Sequence, residues 1–216
     1  MKTQSFNPDV LKAYFVCGTQ DLTPQQSLIV IVQQALKAGI TAYQFRDKGP
    51  HAMLSHQQRL EEAFKLKQLC HQYQVPFIVD DDVTLAQQIN ADGVHVGQSD
   101  AKIQQVVTKV GSKMIVGLSC SNKQEIEIAN QITGIDYYGC GPIFVTNSKE
   151  DAAPSIGPCG LAQLKTIATR PIVAIGGITA DNISAISQIK VAGSAVISMI
   201  TNSSDIQKSV QQLIKS

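Results

Sequence analysis

Three observations in the amino-acid sequence predict an α/β fold built as a (β/α)8 barrel of the TIM type. Eight short apolar runs recur along 216 residues, separated by longer polar or amphipathic stretches. Several of the runs are rich in β-branched residues, as strands buried on both faces are. Polar and glycine-rich residues gather just after the runs, where such a barrel carries its active site. The alternation is met equally by an open, doubly wound sheet, because period does not report whether a sheet closes.

The elements follow in order. The first run, Tyr14-Phe15-Val16-Cys17, leads to a stretch from Ser27 to Ala38 with Leu28, Ile31, Val32, Ala35 and Leu36 on one helical face. Gly39 is its natural stop. The second run, Ala42-Tyr43-Gln44-Phe45, is followed by a helical pattern from Ser55 to Tyr73 through Leu60, Ala63, Phe64, Leu66 and Cys70. After Phe77-Ile78-Val79, Asp82 is placed to cap a helix through Leu85 and Ala86. The runs Gly93 to Val96, Ile115 to Leu118, Tyr137 to Cys140 and Ile172 to Ile175 come next. Asp181-Asn182 reads as the cap of a helix through Ile183 and Ile186. Ala195-Val196-Ile197 is the eighth run, and Ser203 to Ile214 the last helix. No linker or low-complexity tract interrupts the pattern, so residues 1–216 read as one domain.

Composition narrows the function. Hydrophobic residues make up 44% and charged residues 16%, with a formal net charge of +1. There is no basic stripe, so nucleic acid is not an expected partner. No apolar run approaches the length needed to cross a bilayer, and the start lacks the apolar core of a signal peptide. Five scattered cysteines without a CxxC pair read as reduced thiols in a cytoplasm. A homo-oligomer is compatible with this composition.

The chemistry gathers at the run ends. Gln44, Arg46 and Lys48 alternate along an extended segment and share one side. Two cations and an amide suit a diphosphate, with a solvated strand end carrying an Arg46–Asp47 pair as the plain alternative. Asp81 and Asp100 fall at the mouths of neighbouring strands, and magnesium takes one or two carboxylates plus phosphate oxygens. A helix N-cap competes with that reading for Asp81 and Asp100 and is the better reading for Asp82. Gly139 to Lys149 runs from a buried strand into a loop with Thr146, Ser148 and Lys149, the groups that hold phosphate. Gly176-Gly177 and Ser198 stand after runs seven and eight, the common phosphate site of this barrel. Ser119 has no Gly-x-Ser-x-Gly elbow around it, so a hydrolase nucleophile is not expected. None of the four histidines has metal-ligand spacing, and His95, inside a run, reads as a packed residue.

An ordered set of segments resembles the thiamine phosphate synthase family. It comprises Gln44-Phe45-Arg46-Asp47-Lys48, Asp92 through Asp100, Gly117-Leu118-Ser119, Gly141 through Lys149, Ala174 through Ile178 and Val196-Ile197-Ser198. The resemblance implies a (β/α)8 barrel that joins a hydroxymethylpyrimidine diphosphate to a thiazole phosphate with magnesium. It implies that Gln44, Phe45, Arg46, Asp47 and Lys48 hold the pyrimidine diphosphate, with Arg46, Lys48, Ser119 and Lys149 on the departing diphosphate. It implies that Asp81 and Asp100 bind Mg2+. Thr146, Asn147 and Ser148 reach the thiazole, whose phosphate rests on Gly177, Ile197 and Ser198. Asp80 and Asp82 stand where the family usually has Asn and Arg, so Asp80 is either a further metal ligand or a repulsive neighbour of the diphosphate. A related branch of the fold tautomerises thiazole phosphates with a histidine near Ser121, and its absence here leans against that branch. A non-catalytic barrel that binds a phosphorylated ligand is the remaining alternative.

Overall fold

The computed structural model describes residues 6–98, 102–146, 148 and 154–216. Eight parallel strands close on one another in sequence order: β1 (Ala13–Cys17), β2 (Ala42–Phe45), β3 (Phe77–Asp80), β4 (Gly93–Val96), β5 (Ile115–Cys120), β6 (Tyr137–Cys140), β7 (Ile172–Ile175) and β8 (Gly193–Val196). β8 pairs with β1 through Tyr14 opposite Ala195, which completes the ring and removes the open-sheet alternative. The helices between them are α1 (Leu28–Ala38), α2 (His56–Gln72), α3 (Val83–Gln88), α4 (Ile103–Val110), α5 (Lys123–Asn130), α6 (Gly157–Ile167) and α7 (Ile183–Ser187), followed by α8 (Ser198–Thr201) and α9 (Ile206–Lys215).

Local chemistry sets these boundaries. α1 ends where Gly39 adopts a left-handed φ of 100°. α2 opens on a capping box between Ser55 and Gln58. Asp82 caps α3 by accepting from the Leu85 amide at 2.9 Å, as expected. The last helix starts later than the periodicity suggests. Asp205, not Ser203, accepts from the amide three residues on, and the turn before it is the separate short helix α8.

Period-two alternation divides each strand between two layers. Phe15, Cys17, Tyr43, Phe45, Phe77, Val79 and Leu118 point outward into the layer beneath the helices. Tyr14, Val16, Ala42, Ile78, Tyr137, Val173 and Ala195 point inward and fill the barrel. At the N-terminal ends of the strands Leu11 is buried, and Phe6 stacks on Tyr137 with ring centroids 6.0 Å apart. That end is shut with apolar mass. Cys17, Cys70, Cys120 and Cys140 are buried thiols, and burial followed by the Glu125 charge pushes the Cys120 thiol up to about 12. Among the described residues no helix is long and apolar enough to cross a membrane.

Candidate active site

The opposite end of the barrel is open. A cavity of about 320 Å³ lies among the C-terminal ends of the strands. Gln44, Arg46, Lys48, Asp80, Asp81, Ser119, Thr146, Ser148, Gly177, Ile197 and Ser198 all line it, although they come from six strand ends. Phe45 and Asp47, expected at the substrate, are elsewhere. Phe45 is fully buried in the outer layer and stacks on Phe77, and Asp47 accepts from the Thr19 amide at 3.0 Å. The alternation that turns Gln44, Arg46 and Lys48 inward necessarily turns these two away. Asp47 tethers the loop after β1 instead. Asp100, Asn147 and Lys149 lie outside the described residues.

One side of the cavity is ionic. Asp80 is 7% exposed, and its Oδ2 lies 3.4 Å from Arg46 Nε and 3.6 Å from Lys48 Nζ. Lys48 also pairs with Asp81. Among the described residues, the formal charges of Arg46, Lys48, Asp80 and Asp81 cancel. Asp81 is aimed by its backbone. Its amide donates to the His95 carbonyl at 2.8 Å, and its φ is 59°, a left-handed conformation that an aspartate tolerates at a cost of about 1 kcal/mol. Asp82 pairs with Arg59 of α2 at 3.4 Å, so its negative charge is answered outside the cavity.

The carboxylates suit a hard cation. Among the described residues no three His, Cys, Asp or Glu side chains cluster as a ready-made metal cage. Magnesium rarely needs one, because water and substrate phosphate complete its shell around one or two carboxylates. Asp81, with Asp80 beside it, supplies that minimum.

The other side is glycine-rich. Gly176 and Gly177 hold φ of 99° and 65°, and a Cβ on Gly177 would lie 2.5 Å from the Val145 carbonyl oxygen. Only glycine lets the β7 loop lie this close to the β6 loop. Asn182 was expected to cap α7. Its side chain instead turns back, accepting from the Thr179 amide at 2.8 Å and donating to the Gly177 carbonyl at 2.9 Å. Ser198 opens α8 and lines the same cavity as Gly176 and Gly177.

The cavity floor holds residues that the sequence reading passed over. Tyr14 and His95 both line it, and His95 is 8% exposed. His95 is therefore packed, as expected, and also faces the site. The available signal was its inward register: polar residues inside strands two positions before the strand-end residues. Gln98 donates to the Ser119 carbonyl at 2.7 Å and holds the β4 loop to β5.

Comparison with known proteins identifies the family. A family model described as thiamine monophosphate synthase matches residues 13–200. The chain belongs to that family. The thiamine-phosphate synthase of Lactiplantibacillus plantarum is 51% identical over 212 residues, covering 98% of this chain and 97% of the relative. That of Staphylococcus epidermidis is 47% identical over 211 residues, with 97% and 98% covered. The solved structure of a thiamine phosphate pyrophosphorylase from Pyrococcus furiosus superposes with a TM-score of 0.83 at 32% identity, covering 97% of this chain and 96% of that one.

Proposed function

We propose that this cavity joins a hydroxymethylpyrimidine diphosphate to a thiazole phosphate, giving thiamine phosphate and diphosphate. The chain is a transferase of the thiamine monophosphate synthase family, and near-half identity over almost its whole length to thiamine-phosphate synthases supports the activity. One observation carries the placement of the substrates: a single cavity has a balanced ion cluster on one side and a Gly-Gly loop beside a helix start on the other.

In this reading Arg46 and Lys48 exchange Asp80 and Asp81 for the diphosphate oxygens when the pyrimidine substrate enters. Arg46 grips the phosphates through its planar fork, and Lys48 adds a point charge. Ser119 and Lys149 complete the anion cradle. Asp81 and Asp100 would hold Mg2+, with Asp80 as a further ligand, and the ion would neutralise charge on the departing group. The C–O bond breaks with its electron pair leaving on the diphosphate. The resulting methylene cation is delocalised into the pyrimidine ring. The thiazole nitrogen lone pair then forms the new C–N bond. No net proton transfer is required, which accounts for a site of cations, carboxylates and glycines. Thr146, Asn147 and Ser148 align the thiazole, and Gly177, Ile197 and Ser198 hold its phosphate. Orientation and electrostatic stabilisation supply the rate. The cysteine pattern supports a cytoplasmic setting.

The test is direct. Purified protein is mixed with both substrates and magnesium, and thiamine phosphate is measured; it should appear, and should stop appearing when the metal is chelated. No product at high enzyme concentration overturns the proposal. Asp81→Ala separates the tautomerase alternative, which has no use for that carboxylate: the synthase reading expects loss of all product.

A further inference from the structure

Five side chains from five strands form a continuous hydrogen-bonded line across the barrel floor. Gln44 Nε2 donates to Tyr14 Oη at 2.9 Å. The Tyr14 and Tyr137 hydroxyls are 2.9 Å apart. Tyr137 Oη is 3.0 Å from His95 Nδ1, and His95 Nε2 is 3.0 Å from Ser119 Oγ. Gln44 and Ser119, the two ends, both line the cavity, but Tyr137 does not.

With Gln44 Nε2 as the donor, the line runs in one direction. Tyr14 accepts from Gln44, so its single hydroxyl hydrogen must go to Tyr137, its other partner among the described residues. Tyr137 then gives its own hydrogen to His95 Nδ1. Any other choice strands a phenol hydrogen in a site about 1% exposed. With Nδ1 accepting, the neutral ring carries its hydrogen on Nε2 and donates to Ser119 Oγ. Ser119 Oγ then accepts from His95, which leaves its own hydrogen to donate to an occupant of the cavity that it lines. Burial raises both phenols well above their ordinary values, so the line transmits orientation rather than charge.

The barrel makes room for this line. A Cβ at Gly117 of β5 would lie 2.3 Å from His95 Nδ1 and 2.5 Å from Tyr137 Oη. A Cβ at Gly139 of β6 would lie 2.9 Å from His95 Cε1. Glycine weakens a strand interior, so two of them flanking one imidazole define a seat for that ring.

We propose that Tyr14, Tyr137 and His95 act as a one-way line that fixes Ser119 as a hydrogen-bond donor to the leaving diphosphate, with Tyr137 as a pure positioning residue. The proposal rests on the function given above, since it needs an anionic leaving group beside Ser119. A donor aimed at developing negative charge counts more in the transition state than in the bound substrate.

The experiment measures steady-state thiamine phosphate formation for the native protein, Tyr137→Phe, Ser119→Ala and the double variant, with thermal melting as a check on folding. Tyr137→Phe deletes one hydroxyl whose hydrogen-bond partners among the described residues are Tyr14 and His95. It should lower kcat roughly tenfold, less than the ~100-fold or more of removing a donor outright, with the KM for the pyrimidine substrate within about twofold. In the Ser119→Ala background it should lower kcat no further, because the group it acts through is gone. Tyr14→Phe gives the same readout should Tyr137→Phe fail to fold. A folded Tyr137→Phe with native kcat overturns the inference alone, as does an equal loss in both backgrounds. Native protein that forms no product overturns both this inference and the function it rests on.

Discussion

The two ends of the barrel are built from the same strands and differ in what fills them. At the N-terminal end Leu11, Ala42 and Ile78 belong to the inward apolar cluster, and Phe6 covers Tyr137. At the C-terminal end the inward positions two or more residues further along are Gln44, Asp80, His95 and Ser119, and they surround a cavity. Stability is concentrated at the shut end and chemistry at the open one. The Tyr14–Tyr137 pair is the boundary: its rings belong to the apolar fill and its hydroxyls to the polar floor.

This contrast can be broken from either end. The largest effect is expected at the open end. Lys48 has a side chain 34% exposed and serves the ion cluster, so Lys48→Ala should lower kcat/KM about 100- to 1,000-fold while the melting temperature stays within a few degrees. Steady-state kinetics beside a thermal melt would check both halves. Leu11→Ala tests the shut end with the opposite signature. It should cost about 2–5 kcal/mol and lower the melting temperature by roughly 5–15 °C, with kcat at 25 °C within about twofold of native. Comparable losses of activity from both substitutions would erase the division.

Smaller effects sharpen it. Asn182→Ala removes two hydrogen bonds from the Gly-Gly loop but no group from the cavity. It should raise the KM for the thiazole phosphate roughly three- to tenfold, leave that for the pyrimidine substrate unchanged, and cost about 1–2 kcal/mol of stability. Asp21, in the loop after β1, gives the smallest signal. Burial raises its carboxyl from 3.8 to about 6, with the Gly18 amide and then Arg46 opposing the shift. The folded state therefore holds a proton that the unfolded state releases between about pH 4 and pH 6. Stability is greater below that window and falls as pH rises through it. The difference between native protein and Asp21→Asn should shift by on the order of 1 kcal/mol across the window in chemical denaturation, with the native protein losing ground as pH rises. A pH-independent difference would place this carboxylate outside the ionic balance of the open end.

Much of the site could be read in the sequence because barrel geometry converts position along a strand into position in space. Gln44, Arg46 and Lys48 face the cavity by the same alternation that marks their strand, and Asp81, Thr146, Ser148, Gly177 and Ser198 follow from standing at strand ends. Contiguity along the chain does not give co-location in space. Phe45 and Asp47 sit between site residues in the chain and on the opposite face in space. A side chain with a choice of partner is also illegible from local pattern. Asn182 occupies a cap position yet bonds backward to the Thr179 amide and the Gly177 carbonyl. His95 passed for packing because a lone histidine within a run carries no periodic signal of its partners.

By itself the sequence determined the eight strand–helix units, the face each strand residue takes and the ordered motif set, because these depend on neighbours within a few residues. The tertiary structure alone decided that β8 closes on β1 and that Asp80 pairs with Arg46 and Lys48. It also decided that Gln44, Tyr14, Tyr137, His95 and Ser119 meet in one line. The side-chain contacts among these join residues 24 to 123 positions apart. No local pattern specifies such distances; the shear and closure of the barrel do.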